Sequence, residues 1–140
     1  MATATSPLFP WSDTYSVRIA IVDNQHKGLV NLINELHQAM IARMGKEVLG
    51  KTLSSLIKYT QAHFKAEEGI LKSNQYPDFG SHKAEHDRFT GTVLSFQEKF
   101  KKNEIGLTVE LMEFLKDWLI KHIVGVDKKY APFLNARGLR

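Results

Sequence analysis

Four stretches of this chain repeat one spacing, and that spacing leaves few folds open. Over about residues 19–43, Val22, His26, Leu29, Ile33, Leu36 and Met40 follow one another at intervals of 4, 3, 4, 3 and 4. Over about 47–74, Leu49, Leu53, Leu56, Thr60, His63, Glu67 and Ile70 do the same. His82, His86, Phe89, Val93, Phe96 and Phe100 continue it over about 79–101, and Thr108, Leu111, Leu115, Trp118 and His122 over about 108–123. A 4–3 alternation keeps side chains on one stripe of an α-helix. Four such stripes, separated by short breaks at Gly45, at Tyr76-Pro77 and from Asn103 to Gly106, predict an all-α fold: an up-down-up-down antiparallel four-helix bundle. The first ~17 residues, with Pro7, Pro10 and Trp11, read as an extended N-terminal arm. The segment KKYAPFLN after Asp127 reads as a short C-terminal turn or helix over one end of the bundle. Residues 1–140 are expected to form a single domain, with an arm over 1–17, the bundle over 18–127 and a tail over 128–140.

The stripes are not purely apolar. Of six histidines, five (His26, His63, His82, His86 and His122) stand on them, and only His37 falls off. A lone imidazole on an apolar stripe is an ordinary core histidine. Five imidazoles and Glu67 buried without partners would cost several kcal/mol per group, so something inside must satisfy them. Their depth agrees. His26 lies early in the first segment, His63 and Glu67 late in the second, His82 and His86 early in the third, and His122 late in the fourth. In an antiparallel bundle these positions are one and the same end, within a slab of roughly 10–15 Å at the helical rise.

Imidazole with carboxylate suits iron, zinc or copper, whereas calcium and magnesium prefer all-oxygen sites. His63 and Glu67 share a helix face at a spacing of four, as do His82 and His86. Asp127 is harder to place. Five residues beyond His122, it sits about 140° off that face on a regular helix. It joins the layer only if the helix ends or distorts near Gly125; otherwise it is a surface carboxylate.

Composition narrows the chemistry. The chain has no cysteine, which excludes disulfides, thiolate zinc sites and cysteine-ligated iron–sulfur clusters. The start MATATSPLFPW has neither a basic nor an apolar leader region, and no run approaches 18 apolar residues; a cytoplasmic protein that does not span a membrane is expected. The net charge is +4, with lysines grouped at 99, 101 and 102 and at 128 and 129. Nothing resembles a stacking platform or recognition helix, so these read as solvated faces and no nucleic-acid partner is expected.

The motifs IVDNQHK (21–27), HFKAEE (63–68), HKAEH (82–86) and HIVGVD (122–127) resemble the hemerythrins over nearly the whole chain, from about Trp11 to Leu134. The paired glutamates at 67–68 and the Trp-Ser-Asp of 11–13 look more like the family's bacterial branch. The resemblance implies a single hemerythrin-like domain holding two iron ions per chain in a non-haem di-iron centre bridged by an oxo or hydroxo group. His82, His86 and His122 would bind one iron and His26 and His63 the other, with Glu67 and Asp127 bridging. It implies six ligands on the first iron, five on the second, and reversible dioxygen binding at the open position. Leu29, Phe64, Trp118, Leu119 and Ile123 match the family's oxygen-pocket positions; as residues they also read as ordinary core.

The expected function is dioxygen binding for transport, storage or supply to an oxygen-consuming enzyme, by a monomer that is not itself an enzyme. The alternatives are a sensor of oxygen, redox state or iron, or a di-iron oxidase, peroxidase or nitric oxide reductase.

Overall fold

The structure is a computed structural model that describes residues 8–104, 106 and 109–140, apart from the side chains of Val109 and Glu110. Thr108, at the head of the fourth stripe, and residues 1–7 of the arm lie outside the described residues. The helices are α1 (Ala20–Ile41), α2 (Lys46–Ser73), α3 (Phe79–Lys101), α4 (Val109–His122) and α5 (Lys128–Ala136). A π-helical turn, Ile123–Asp127, joins α4 to α5, and a 3-10 turn, Asp13–Tyr15, interrupts the arm. The four-helix bundle is the fold: α1 packs on α2 and α4, and α2 on α3. Among the described residues no helix is long and apolar enough to cross a membrane.

The stripes face inward, but the core is wider than an a/d seam. Val30, Ile57, Phe64, Met112 and Leu119, off the 4–3 positions, are buried, while Met40, Leu49, Ile70, Phe96 and Trp118 are half-buried. A globular helix needs a stripe broader than a coiled-coil seam, and the extra positions supply it.

The helices stop by a device that glycine does not announce. After α1, Arg43 adopts φ 55° and the Met44 N–H donates to the Ala39 carbonyl at 3.0 Å. Gln75 after α2 (φ 56°) and Asn103 after α3 (φ 59°) repeat the pattern, with Tyr76 donating to Leu71 and Glu104 to Lys99, each at 2.9 Å. These are Schellman closures, in which the left-handed residue is usually glycine. Only α5 uses one, Gly138.

The apolar interior has two parts. The larger runs along the bundle axis and includes Leu29, Ile33, Leu53, Leu56, Phe64, Leu115 and Leu119. The smaller gathers Val17, Ile19, Val22, Leu71, Tyr76, Tyr130 and Leu134 around α5. The arm is docked. Phe9 is fully buried, and its backbone makes two 2.8 Å hydrogen bonds with the Asn34 side chain, donating to Oδ1 and accepting from Nδ2. α5 is a continuation of α4 through the π turn rather than a separate cap, and Asn135 Nδ2 donates back to the Arg18 carbonyl.

Candidate metal centre

A polar layer separates the two apolar clusters. It contains His26 from α1, His63 and Glu67 from α2, His82 and His86 from α3, His122 from α4 and Asp127 from the π turn. All are buried, none more than 3% exposed. The early-late-early-late placement on antiparallel helices brings them together.

Each carboxylate divides its two oxygens. Glu67 Oε1 lies 2.7 Å from His82 Nε2 and 3.1 Å from His86 Nε2. Glu67 Oε2 lies 3.7 Å from His26 Nε2 and 3.6 Å from His63 Nε2. Asp127 Oδ1 is 3.1 Å from His82 Nε2 and 3.0 Å from His122 Nε2, while Oδ2 is 3.0 Å from His26 Nε2. Two groups result, each with ligand atoms within 4.8 Å of one another: Glu67, His82, His86, His122 and Asp127, and His26, His63, Glu67 and Asp127. Glu67 and Asp127 belong to both.

Asp127 reaches the layer through the π turn. Hydrogen bonding from i to i+5 takes up one extra residue, so a residue five beyond His122 lands where i+4 would otherwise fall. The helix distorts rather than ends, and Gly125 keeps a right-handed backbone, since Gly138 is the only described glycine with positive φ.

The outer ring nitrogens fix which nitrogen faces inward. His63 Nδ1 is 2.6 Å from Gln25 Oε1, and His86 Nδ1 is 2.8 Å from Glu68 Oε2. Both partners accept only, so Nδ1 carries the hydrogen and the Nε2 lone pair points into the layer. Glu85 Oε1 stands 3.8 Å from His122 Nδ1, whereas Lys83, its neighbour in HKAEH, is exposed and pairs with Asp87 at 2.9 Å. Tyr130 donates its hydroxyl proton to Glu67 Oε2 at 2.8 Å.

The donors fit a cation better than they fit each other. His26 Nε2 and both Asp127 oxygens are buried without a hydrogen bond, although His26 and Asp127 approach to 3.0 Å. His86 Nε2 and His122 Nε2 meet at 3.0 Å. Lone pairs that close, aimed past one another, satisfy a metal ion at their common focus. Neutral imidazole and carboxylate together are a donor set for iron, zinc or copper.

The charges tell the same story. Burial pulls the His26 and His82 imidazoles down, but the Asp127 and Glu67 carboxylates beside them outweigh it and raise them to about 9 and about 10. Burial lowers His63 to about 4. Burial also pushes Glu67 and Asp127 up, yet the surrounding imidazoles hold both below the usual carboxylate range. Tyr130 is driven well above its ordinary value by burial and by the Glu67 charge. The layer demands positive charge at its centre.

An apolar cavity adjoins the layer. It offers about 20 Å³ to the centre of a water-sized sphere, enough for one small molecule. Leu29, Phe64, Trp118 and Leu119 line it, with a threonine, Thr60, among the described lining residues; the Thr60 hydroxyl is committed to the Leu56 carbonyl at 2.7 Å. Ile123 is fully buried but does not line this cavity. Two aromatic rings press on the histidines: Phe64 stacks on His86 at 3.8 Å between centroids, and Trp118 on His122 at 4.6 Å.

Sequence reading missed Gln25, Glu68 and Tyr130. The available signal was adjacency: Gln25 precedes His26, Glu68 follows Glu67, and Tyr130 lies three residues after Asp127 on one helical face.

The profile of the family described as "Hemerythrin HHE cation binding domain" matches residues 17–134. A bacteriohemerythrin from Methylococcus capsulatus is 37% identical over 130 residues, spanning 92% of this chain and 98% of that protein. A myohemerythrin from Theromyzon tessulatum is 32% identical, spanning 87% and 90%. A crystal structure of wild-type hemerythrin is 36% identical and superposes with a TM-score of 0.85, covering 89% of this chain and 96% of that one.

Proposed function

The chain belongs to the hemerythrin family, and from that membership we propose that its polar layer is a non-haem di-iron centre that binds dioxygen reversibly. The biological use would be transport, storage or supply to an oxygen-consuming enzyme.

The observation that carries this reading is the division of the carboxylates. A residue serving a single metal has no reason to aim one oxygen at each of two imidazole groups, as Glu67 and Asp127 do. His82, His86 and His122 would hold one iron, and His26 and His63 the other. Both would share Glu67, Asp127 and an oxo or hydroxo bridge. The two-histidine side then has one ligand fewer, and its open position is where dioxygen would enter. When bound, the irons supply the electrons that let dioxygen be taken up and released.

The protein's own part is to position and to exclude. Leu29 lies one turn from His26 and Thr60 one turn from His63, as Phe89 does from His86 and Trp118 from His122, so the apolar cavity adjoins the layer as a whole, the two-histidine side included. Its walls keep out the water and protons that turn reversible binding into irreversible oxidation. Among the described residues, no side chain lining it is positioned as a general acid or base, which favours a binding protein over an oxidase or peroxidase.

The test is spectroscopic and stoichiometric. Purified chain should carry two irons. Reduced without oxygen, exposed to it and then degassed, it should gain and lose the same absorption over repeated cycles. One metal per chain, or steady oxygen consumption with turnover of a reductant, overturns the reading.

A further inference from the structure

We infer that the chain holds its two metals unequally: the three-histidine position tightly and the two-histidine position loosely, with Glu68, Gln25 and Tyr130 setting the difference from outside the ligand set. This rests on the dinuclear reading above.

Three imidazoles against two already favour one side. Two independent sets of contacts add to that bias. The first concerns the outer ring nitrogens. An imidazole whose N–H is held by a carboxylate is a stronger donor than one held by a neutral amide. His86, on the three-histidine side, donates to the Glu68 carboxylate at 2.8 Å, and the Glu85 carboxylate adds negative charge 3.8 Å from His122 Nδ1. On the other side, His63 donates to the neutral Gln25 amide oxygen, and His26 Nδ1 has no hydrogen-bond partner. His82 Nδ1 and His122 Nδ1, like His26 Nδ1, have no hydrogen-bond partner, so the difference in outer support is that between the Glu68 carboxylate and the Gln25 amide, with the Glu85 charge on the same side as Glu68.

The second concerns the shared ligand. Tyr130 donates to Glu67 Oε2, the oxygen that faces His26 and His63. Its partner Oε1, which faces His82 and His86, receives no such phenolic proton. A hydrogen bond withdraws electron density from the oxygen that accepts it, so Tyr130 weakens Glu67 as a donor on the two-histidine side alone. Both sets of contacts act in one direction. They leave the metal with the open position less fully neutralised by its ligands, and so more ready to take up an anionic molecule.

Glu68 is well suited to testing this, because its side chain is 19% exposed at the edge of a surface groove shared with Gln61, Lys65 and Asp87. Replacing it opens no cavity in the core. Metal-free full-length chain would be titrated with zinc alone, against a competing chelator, by calorimetry. Wild type should bind in two separated phases. Glu68→Gln should weaken the first phase about 10-fold and leave the second in place. Gln25→Glu and Tyr130→Phe should each strengthen the second phase several-fold and leave the first in place. If Glu68→Gln fails to fold, as read by helical circular dichroism, the other two variants decide.

Two equal affinities in wild type, a Glu68→Gln effect shared evenly by both phases, or an unmoved second phase in both Gln25→Glu and Tyr130→Phe overturns the inference alone. A single zinc per chain overturns the dinuclear reading and the inference with it.

Discussion

Asp127 lies five residues beyond His122, yet its Oδ1 stands 3.0 Å from His122 Nε2. A regular helix would hold the two about 140° apart. The π turn Ile123–Asp127 closes that angle, and such single π turns gather at functional sites. The segment HIVGVD therefore brings its histidine and its carboxylate together only through a local helical defect.

That dependence can be tested by changing the register. Deleting Val124, which is 46% exposed, makes Asp127 the fourth residue after His122, where a regular helix brings both to one face. Metal content should survive the deletion. Inserting an alanine beside Val124 should instead carry Asp127 off the face and cost at least one metal per chain by elemental analysis. Equal loss in both variants would show that the turn does not work as described.

Protons and metal compete for this layer, with a definite sign. His26 at about 9 and His82 at about 10 are raised above the ordinary imidazole value of 6.5. The folded chain thus holds protons there that the unfolded chain releases. Their contribution to stability is full below about pH 6.5 and is lost as pH rises through 9 to 10. His63, lowered to about 4, acts oppositely: its contribution is full above 6.5 and is lost as pH falls toward 4. Metal-free chain should therefore unfold at lower denaturant at pH 10 than at pH 7. Metal-loaded chain should show less of this decline, and loading near neutral pH should release protons. Metal-free stability that rises from pH 7 to 10 would refute this account.

The arm should be worth far more than its irregular backbone suggests. Phe9 is fully buried in the larger core, so Phe9→Ala should cost about 3–5 kcal/mol. Asn34→Ala, which strips both hydrogen bonds from the Phe9 backbone, should cost about 1–3 kcal/mol. Urea unfolding of the metal-loaded chain would measure both, and losses below 0.5 kcal/mol would mean the arm is not docked in solution.

Leu119 and His37 separate the cavity from the ligand layer. Leu119→Ala widens a cavity wall and should speed spontaneous oxidation of the oxygenated protein, with iron content unchanged. Half-buried His37 stands outside both ligand groups, so His37→Ala should also keep its iron. Iron loss on replacing His37 would break the rule that the stripe positions identify the ligands.

The bundle was legible because periodicity is local. Each 4–3 stripe names its own helix and its inward face, and antiparallel succession then aligns the depths of His26, His63, His82, His86 and His122. What was illegible depends on meetings between helices. Glu68 matters because α3 places His86 against it, and Gln25 because α2 brings His63 to it; neither stands on a stripe. Tyr130 was hidden by the π turn, whose extra residue fixes the direction in which α5 sets out. The helix ends fall within two residues of the bounds read from the pattern, but the left-handed closures at Arg43 and Gln75 went unforeseen because their side chains carry no sign of that backbone, which Asn103 adopts more readily.

The polar layer lies between two apolar clusters, one along the bundle and one around α5. The consequence is one of residence time. An ion seated there would be held by side chains no more than 3% exposed, with a surface groove reaching only the outer side of His86 beside Glu68, so leaving would require a wall of the layer to part. The cluster around α5 is the smaller and is closed by a nine-residue helix, so its parting would be one route of escape. The chain would then retain its metals by the slowness of its own breathing as much as by the strength of its ligands.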